Sequence, residues 1–327
     1  MLEHGGGILA ASRRFGIAPG DWLDLSTGIN PLGWPVPAIP APAWQRLPEH
    51  EDGLLEATAA YFGTDLLLPV AGSQAAIQIL PQLRPPAQIG VLTPAYAEHA
   101  RAWQRQGHTL HLLSAAEIGP RIDGLDVLVL CNPNNPTGHL FDRTQLLHWH
   151  QRLAAHGGWL VVDEAFMDAT PEHSLLSHVG APGLIVLRSL GKFFGLAGAR
   201  VGFAAAWPEL LEALAETLGP WPLSGPARWV SMRALSDSVW QVQARDRLRI
   251  DAARLAMLLV RAGLQPSGGT ALFQWVKTGR AASLHESLAR QGILTRHFPS
   301  PMSLRFGLPG HETEWIRLGV ALADCRP

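Results

Sequence analysis

The sequence predicts an α/β protein with a mainly parallel sheet and a second, smaller α/β domain. Three observations predict it. Short apolar runs rich in β-branched residues alternate with longer helical patterns, and parallel neighbours need helical crossovers. A long helical stretch then separates this series from a later group of shorter elements. The chain has 327 residues, whereas single cores rarely grow beyond ~250–300 residues.

In chain order, a short helix is expected at Ile8 to Phe15, followed by a proline-rich stretch from Asn30 to Pro48. Its prolines, Pro31, Pro35, Pro37, Pro40, Pro42 and Pro48, predict extended chain. Strands are expected at Ile89 to Thr93, Thr109 to Leu113, Val127 to Cys131, Trp159 to Val162, Leu184 to Leu187 and Val201 to Ala205. Helices are expected at Gly53 to Phe62, Gln74 to Leu83, Ala97 to Gln106 and Thr144 to Ala155. From Pro226 to about Gly263 the pattern reads as one long or broken connector helix. The smaller domain follows, with strands near Ala271 to Val276 and Met302 to Phe306, and helices near Ala282 to Gln291 and Glu312 to Ala323. The expected organisation is an N-terminal segment (1–34) packing on the small domain and the active site, a large domain (35–225), and a connector with the small domain (226–327).

Composition narrows the function. Apolar residues make up 47% and the net charge is −1, so no long-range field favours nucleic acid or an anionic membrane. The expected partner is a small molecule. No stretch reaches the roughly 18 apolar residues of a spanning helix, and the first residues lack a basic start followed by an apolar run, so the cytoplasm is the expected location. The two cysteines, Cys131 and Cys325, are expected to be reduced thiols. The 14 histidines form no HExxH pair, and no metal site is expected.

Of the 26 cationic residues only Lys192 and Lys277 are lysines. Arginine serves as a surface charge, but its guanidinium does not readily form an imine, so a retained lysine points to amine chemistry. Lys192 lies in Ser189-Leu190-Gly191-Lys192-Phe193-Phe194-Gly195-Leu196-Ala197-Gly198-Ala199-Arg200. Here Ser189 and Arg200 supply a hydroxyl and a guanidinium suited to a phosphate. Gly72-Ser73-Gln74 opens a helix whose first N–H groups favour an anion, and it reads equally well as a plain N-cap. Asn132-Pro133-Asn134-Asn135-Pro136-Thr137-Gly138 follows a buried strand, and Asp163-Glu164 ends another. In open α/β sheets ligands sit at such carboxyl ends.

Taken in this order, these segments resemble the class I/II aminotransferases of pyridoxal-phosphate (PLP) fold type I, over nearly the whole chain. The resemblance implies a seven-stranded, mainly parallel sheet, a homodimer, and PLP bound to Lys192 as a Schiff base. It implies that Asp163 pairs with the pyridine nitrogen, that Asn135 bonds O3′, and that Tyr96 of Thr93-Pro94-Ala95-Tyr96 stacks on the ring. Ser73, Gln74, Ser189 and Arg200 would hold the cofactor phosphate. Arg305, in Ser303-Leu304-Arg305-Phe306-Gly307, matches the arginine that binds the substrate carboxylate; a charge inside an apolar strand also wants an anionic partner. Two departures stand out. Phe166 occupies the place of a tyrosine that bonds O3′, and Leu47 that of a tyrosine reaching the neighbouring subunit's phosphate.

Within this family the N-terminal residues His4-Gly5-Gly6 and Leu25-Ser26-Thr27-Gly28-Ile29-Asn30-Pro31-Leu32-Gly33 resemble the threonine-phosphate decarboxylases of cobalamin biosynthesis. The implied substrate is a phosphorylated amino acid, O-phospho-L-threonine, converted to (R)-1-amino-2-propanol O-2-phosphate. Expected substrate contacts are His4, Gly5, Gly6, Asn30, Asn135, Arg296 and Arg305. A flexible terminus explains the first three as well, and a surface arginine explains Arg296. Two alternatives stay open: a histidinol-phosphate-type aminotransferase, and a non-catalytic regulator, against which the missing DNA-binding segment speaks.

Overall fold

The computed structural model describes residues 4–325, which divide into two compact units. The larger comprises Trp34–Asn135 and Leu140–Val242. The smaller comprises the described residues through Gly33, Pro136–His139, and the described residues from Gln243 onward.

The larger unit is built on a seven-stranded sheet in the order Leu67–Val70, Gly202–Ala205, Leu184–Ser189, Trp159–Asp163, Val127–Cys131, Gln88–Leu92, Thr109–Leu113. The last five of these pair in parallel, and Gly202–Ala205 runs antiparallel to both its neighbours. Val127–Cys131 and Trp159–Asp163 are buried at every residue, as strands covered on both faces must be. Helices Ser73–Ile79, Ala97–Arg105, Arg143–Ala154 and Pro208–Leu218 connect or flank the strands. Asp142 starts the third of these by accepting from the Thr144 and Gln145 amides.

Three features of this unit depart from the periodicity. Leu67–Val70 contains Pro69, which argues against a central strand; it lies at the sheet edge, where a missing donor is tolerated. Ala115–Arg121 is helical despite Pro120, with Ser114 and Glu117 forming a capping box at its start. Five residues of the proline-rich stretch, Ala41–Gln45, form a helix. The connector takes the broken of its two expected forms, Gly225–Ser236 and Ser238–Arg261. Asp237 makes the break, since its carboxylate accepts from the Trp240 amide and from Trp34 Nε1, both at 3.0 Å.

The smaller unit holds a four-stranded antiparallel sheet in the order Arg296–Pro299, Met302–Gly307, Phe273–Lys277, Gly268–Thr270. Leu23–Asp24 pairs in parallel with Ile293–Leu294. The second half of the Asn-Pro-rich motif packs here by close backbone approach: a Cβ on Gly138 would meet the Gly269 carbonyl oxygen at 2.2 Å, and one on Gly268 the Thr137 oxygen at 2.1 Å.

Candidate active site

Asp163 closes the Trp159–Asp163 strand, beside Cys131 at the end of the neighbouring one. Its two oxygens accept from different donors: the Ala165 amide reaches Oδ1 at 3.0 Å and His99 Nε2 reaches Oδ2 at 3.0 Å. His99 sits one turn beyond Tyr96 and meets its ring edge to face, with centroids 6.0 Å apart. Tyr96 in turn donates to Gln74 Oε1 at 3.1 Å. Burial, reinforced by the Asp163 charge, pushes the Tyr96 phenol up to about 12, so it stays neutral at physiological pH.

The donor atoms of His99, Cys131 and Asp163 all lie within 4.8 Å of one another. Burial, followed by the Asp163 charge, pushes the Cys131 thiol well up.

Lys192 follows the Leu184–Ser189 strand, with its ammonium 5.6 Å from the centroid of the buried Phe166 ring. Arg200, eight residues on, adopts the left-handed conformation at φ 55°. It aims its guanidinium at Gly72, where a Cβ would meet Nη2 at 2.6 Å. A Cβ on Gly202 would meet the Ser73 nitrogen at 2.4 Å. Two glycines therefore let the Arg200 guanidinium and the Ser73 amide approach the backbone closely. Ser189 Oγ accepts from the Gly191 amide at 3.3 Å within the same turn.

Beside these residues runs a fully buried ionic network. Arg188 donates to Glu164 Oε2 at 2.8 Å and also pairs with Asp168, to which Tyr61 donates at 3.0 Å. Glu164 takes two further donors, Ser174 Oγ at 2.5 Å and the Leu175 amide at 2.8 Å. Burial pushes the Glu164 carboxyl up, with Arg188 opposing. This network anchors the two strand ends that carry Asp163 and Ser189, since breaking a buried pair leaves an uncompensated charge.

In the smaller unit, Arg296 and Arg305 are direct cross-strand partners. Residues opposite each other share a face of the sheet, so two guanidinium side chains start from adjacent Cβ atoms. Burial and then Arg296 push Arg305 down to about 10, with Asp24 opposing. Arg305 also donates to the Ser26 carbonyl at 2.7 Å. Asn30 is buried, and its side-chain oxygen accepts from the Leu32 amide and from Arg247, both at 3.1 Å. His4 is exposed, and the Gly6 amide donates to Ser26 Oγ at 2.7 Å.

A family model described as aminotransferase class I and II matches residues 46–323. The chain belongs to the class I and II aminotransferases. Within this family it is 56% identical to a threonine-phosphate decarboxylase of Pseudomonas aeruginosa, covering 98% of this chain and 97% of that one. It is 43% identical to a threonine-phosphate decarboxylase of a Sinorhizobium species, covering 98% of each. The fold matches a histidinol-phosphate aminotransferase of Sinorhizobium meliloti in complex with pyridoxal 5′-phosphate, with a TM-score of 0.83 at 20% identity, over 97% of this chain and 94% of that one.

The cofactor of this aminotransferase-family chain is PLP. The residues present fit it. The Arg200 guanidinium and the Ser73 amide, each packed against a glycine, suit a phosphate, Asp163 is a buried carboxylate held by two donors, and Lys192 would supply the amine. Ser73, Gln74, Tyr96, Asp163, Ser189, Lys192 and Arg200 all belong to the larger unit, as does Asn135; His4, Gly5, Gly6, Asn30, Arg296 and Arg305 belong to the smaller. Sequence reasoning missed His99, Asp24 and Ser26. His99 carried a signal, its place three residues after Tyr96 in a helix, but it was one histidine among 14.

Proposed function

We propose that this chain decarboxylates O-phospho-L-threonine to (R)-1-amino-2-propanol O-2-phosphate, a step of cobalamin formation, in the cytoplasm and as a homodimer. The observation that carries the reading is the full-length likeness to two threonine-phosphate decarboxylases, at 56% and 43% identity. The paired arginines support it, because a substrate with both a carboxylate and a phosphate balances two facing guanidinium charges.

When bound, PLP supplies an electron sink for a bond broken at the substrate Cα. In this reading Lys192 would hold the cofactor and, as a free amine, would carry a proton to the substrate Cα. Asp163, fixed by His99 and the Ala165 amide, holds the pyridine nitrogen protonated. Asn135 bonds O3′, and Tyr96 covers the ring as a neutral phenol. Ser73, Gln74, Ser189 and Arg200 hold the cofactor phosphate. With Phe166 in place of a tyrosine, a hydrocarbon ring faces the Lys192 amine, and no phenol competes for O3′.

On the substrate side, Arg305 holds the α-carboxylate and Arg296, with the His4–Gly6 segment and Asn30, faces the phosphate. Bond choice would follow from this grip: the way Arg305 and the phosphate contacts hold the substrate would favour loss of the carboxylate over loss of the Cα hydrogen. The test incubates the holoenzyme with O-phospho-L-threonine and no keto acid. Carbon dioxide and aminopropanol phosphate are expected in equal amounts. Release of neither, with glutamate formed when histidinol phosphate and 2-oxoglutarate are supplied together, would make the chain an aminotransferase. Sedimentation at micromolar concentration tests the dimer.

A further inference from the structure

The N-terminal glycines and the anion-facing arginine meet at one residue of the smaller unit that has been given no role so far. Leu25 is fixed on both sides: its amide donates to Leu294 and its carbonyl accepts from Gly307, at 2.8 and 2.7 Å. The next residue, Ser26, is buried. Its amide and its hydroxyl both donate to Asp24 Oδ1, at 2.9 and 2.5 Å. A serine hydroxyl has one proton, and Asp24 takes it, so the oxygen presents only lone pairs elsewhere. Those lone pairs receive the Gly6 amide at 2.7 Å, while the Ser26 carbonyl receives Arg305 Nη2 at 2.7 Å.

Sterics enforce the same arrangement. A Cβ on Gly5 would lie 2.3 Å from the Ser26 carbonyl oxygen, so only glycine allows the N-terminal segment to lie flat there. Gly6 has φ 84°, which also favours glycine. The Gly6 amide is thus a tether, already donated within the protein, and phosphate contact falls to the groups around it.

We propose that Ser26 is a positioning residue that joins the His4–Gly6 segment to Arg305, so that the substrate's two anionic groups are gripped by one rigid body. The inference rests on the substrate reading given above. It makes Ser26 a determinant of preference for the phosphorylated amino acid. Asp24 contributes by fixing the direction of the hydroxyl.

The test compares wild-type holoenzyme with Ser26→Ala, which keeps the carbonyl to Arg305 and removes the hydroxyl, and with it both the acceptor for Gly6 and the donor to Asp24. The cofactor absorption band is expected to be unchanged. KM for O-phospho-L-threonine is expected to rise about tenfold, with most of the loss in kcat/KM carried by KM, as for one neutral hydrogen bond that orders a segment. Amide hydrogen exchange at residues 4–7 is expected to quicken about tenfold. A KM within twofold of wild type, on an enzyme that does release carbon dioxide, overturns the role of Ser26 and leaves the substrate reading standing. If wild type releases no carbon dioxide, the substrate reading falls and exchange alone judges the tether: a tenfold rise upholds it and an unchanged rate overturns it.

Discussion

Around Asp163 each charge meets a complement, whereas across the Arg296–Arg305 pair two like charges face each other. The buried Glu164–Arg188–Asp168 network is likewise matched in sign, cation against carboxylates. Matched regions hold their geometry whether or not a ligand is present. Neighbouring guanidinium groups repel each other and an anion relieves that repulsion, so the smaller unit is suited to take up a charge where the larger holds a shape. This division suits an enzyme whose cofactor stays and whose substrate comes and goes.

The largest expected effect breaks the matched side. Lys192→Ala should abolish the visible absorption band and lower turnover by about a thousandfold or more, because no arginine in the chain can replace the imine-forming amine. Mass spectrometry after borohydride reduction checks it. Cofactor still attached to the variant would move the attachment to Lys277 or another amine.

Breaking the like-charged pair should cost less in turnover. Arg305→Gln is expected to lower kcat/KM about a hundredfold, the scale for removing one partner of a buried charged contact. An anion bound at the pair stabilises the folded state, so orthophosphate should raise the wild-type melting temperature and leave that of Arg305→Gln nearly unmoved. The pH dependence sharpens this. Arg305 is pushed from 12.5 down to about 10 by burial and Arg296. Both folded and unfolded chains hold the proton at neutral pH, and the folded one loses it first. Stability without anion therefore rises as pH climbs through about 10, while the orthophosphate effect, which needs the charge, disappears over the same range. Thermal melts with and without orthophosphate at pH 8 and 10.5 read both signs.

The smallest expected effect lies behind the cofactor. His99→Phe removes one of the two donors to Asp163 and should weaken PLP binding about tenfold, with a shifted absorption maximum, since the carboxylate then holds the pyridine nitrogen less firmly. Titration of apoenzyme with PLP measures it.

Much of the larger unit was legible because its signals are local. Five consecutive buried residues make Val127–Cys131 readable, and the chemistry-bearing residues follow the strand ends, where open α/β sheets place them. The helix at Ala115–Arg121 and the strand at Leu67–Val70 hide behind Pro120 and Pro69, residues that local propensity reads as breakers and that position or capping tolerates. What the sequence could not show was register. Arg296 and Arg305 are nine residues apart, and only the turn at Ser300-Pro301 sets them opposite each other. Ser26 was equally silent, for its role comes from three partners 2, 20 and 279 positions away, and a lone serine carries no mark of that.

The central claim is that the grip on the substrate selects the carbon–carboxylate bond at Cα over the carbon–hydrogen bond. It is tested most directly by turning over O-phospho-L-threonine in deuterium oxide and observing the compounds by proton NMR. Breaking the carboxylate bond keeps the original hydrogen and adds one deuteron, so aminopropanol phosphate with a single deuterium on the amine-bearing carbon is the predicted product. Recovered substrate carrying deuterium at Cα, with no carbon dioxide released, would contradict the account.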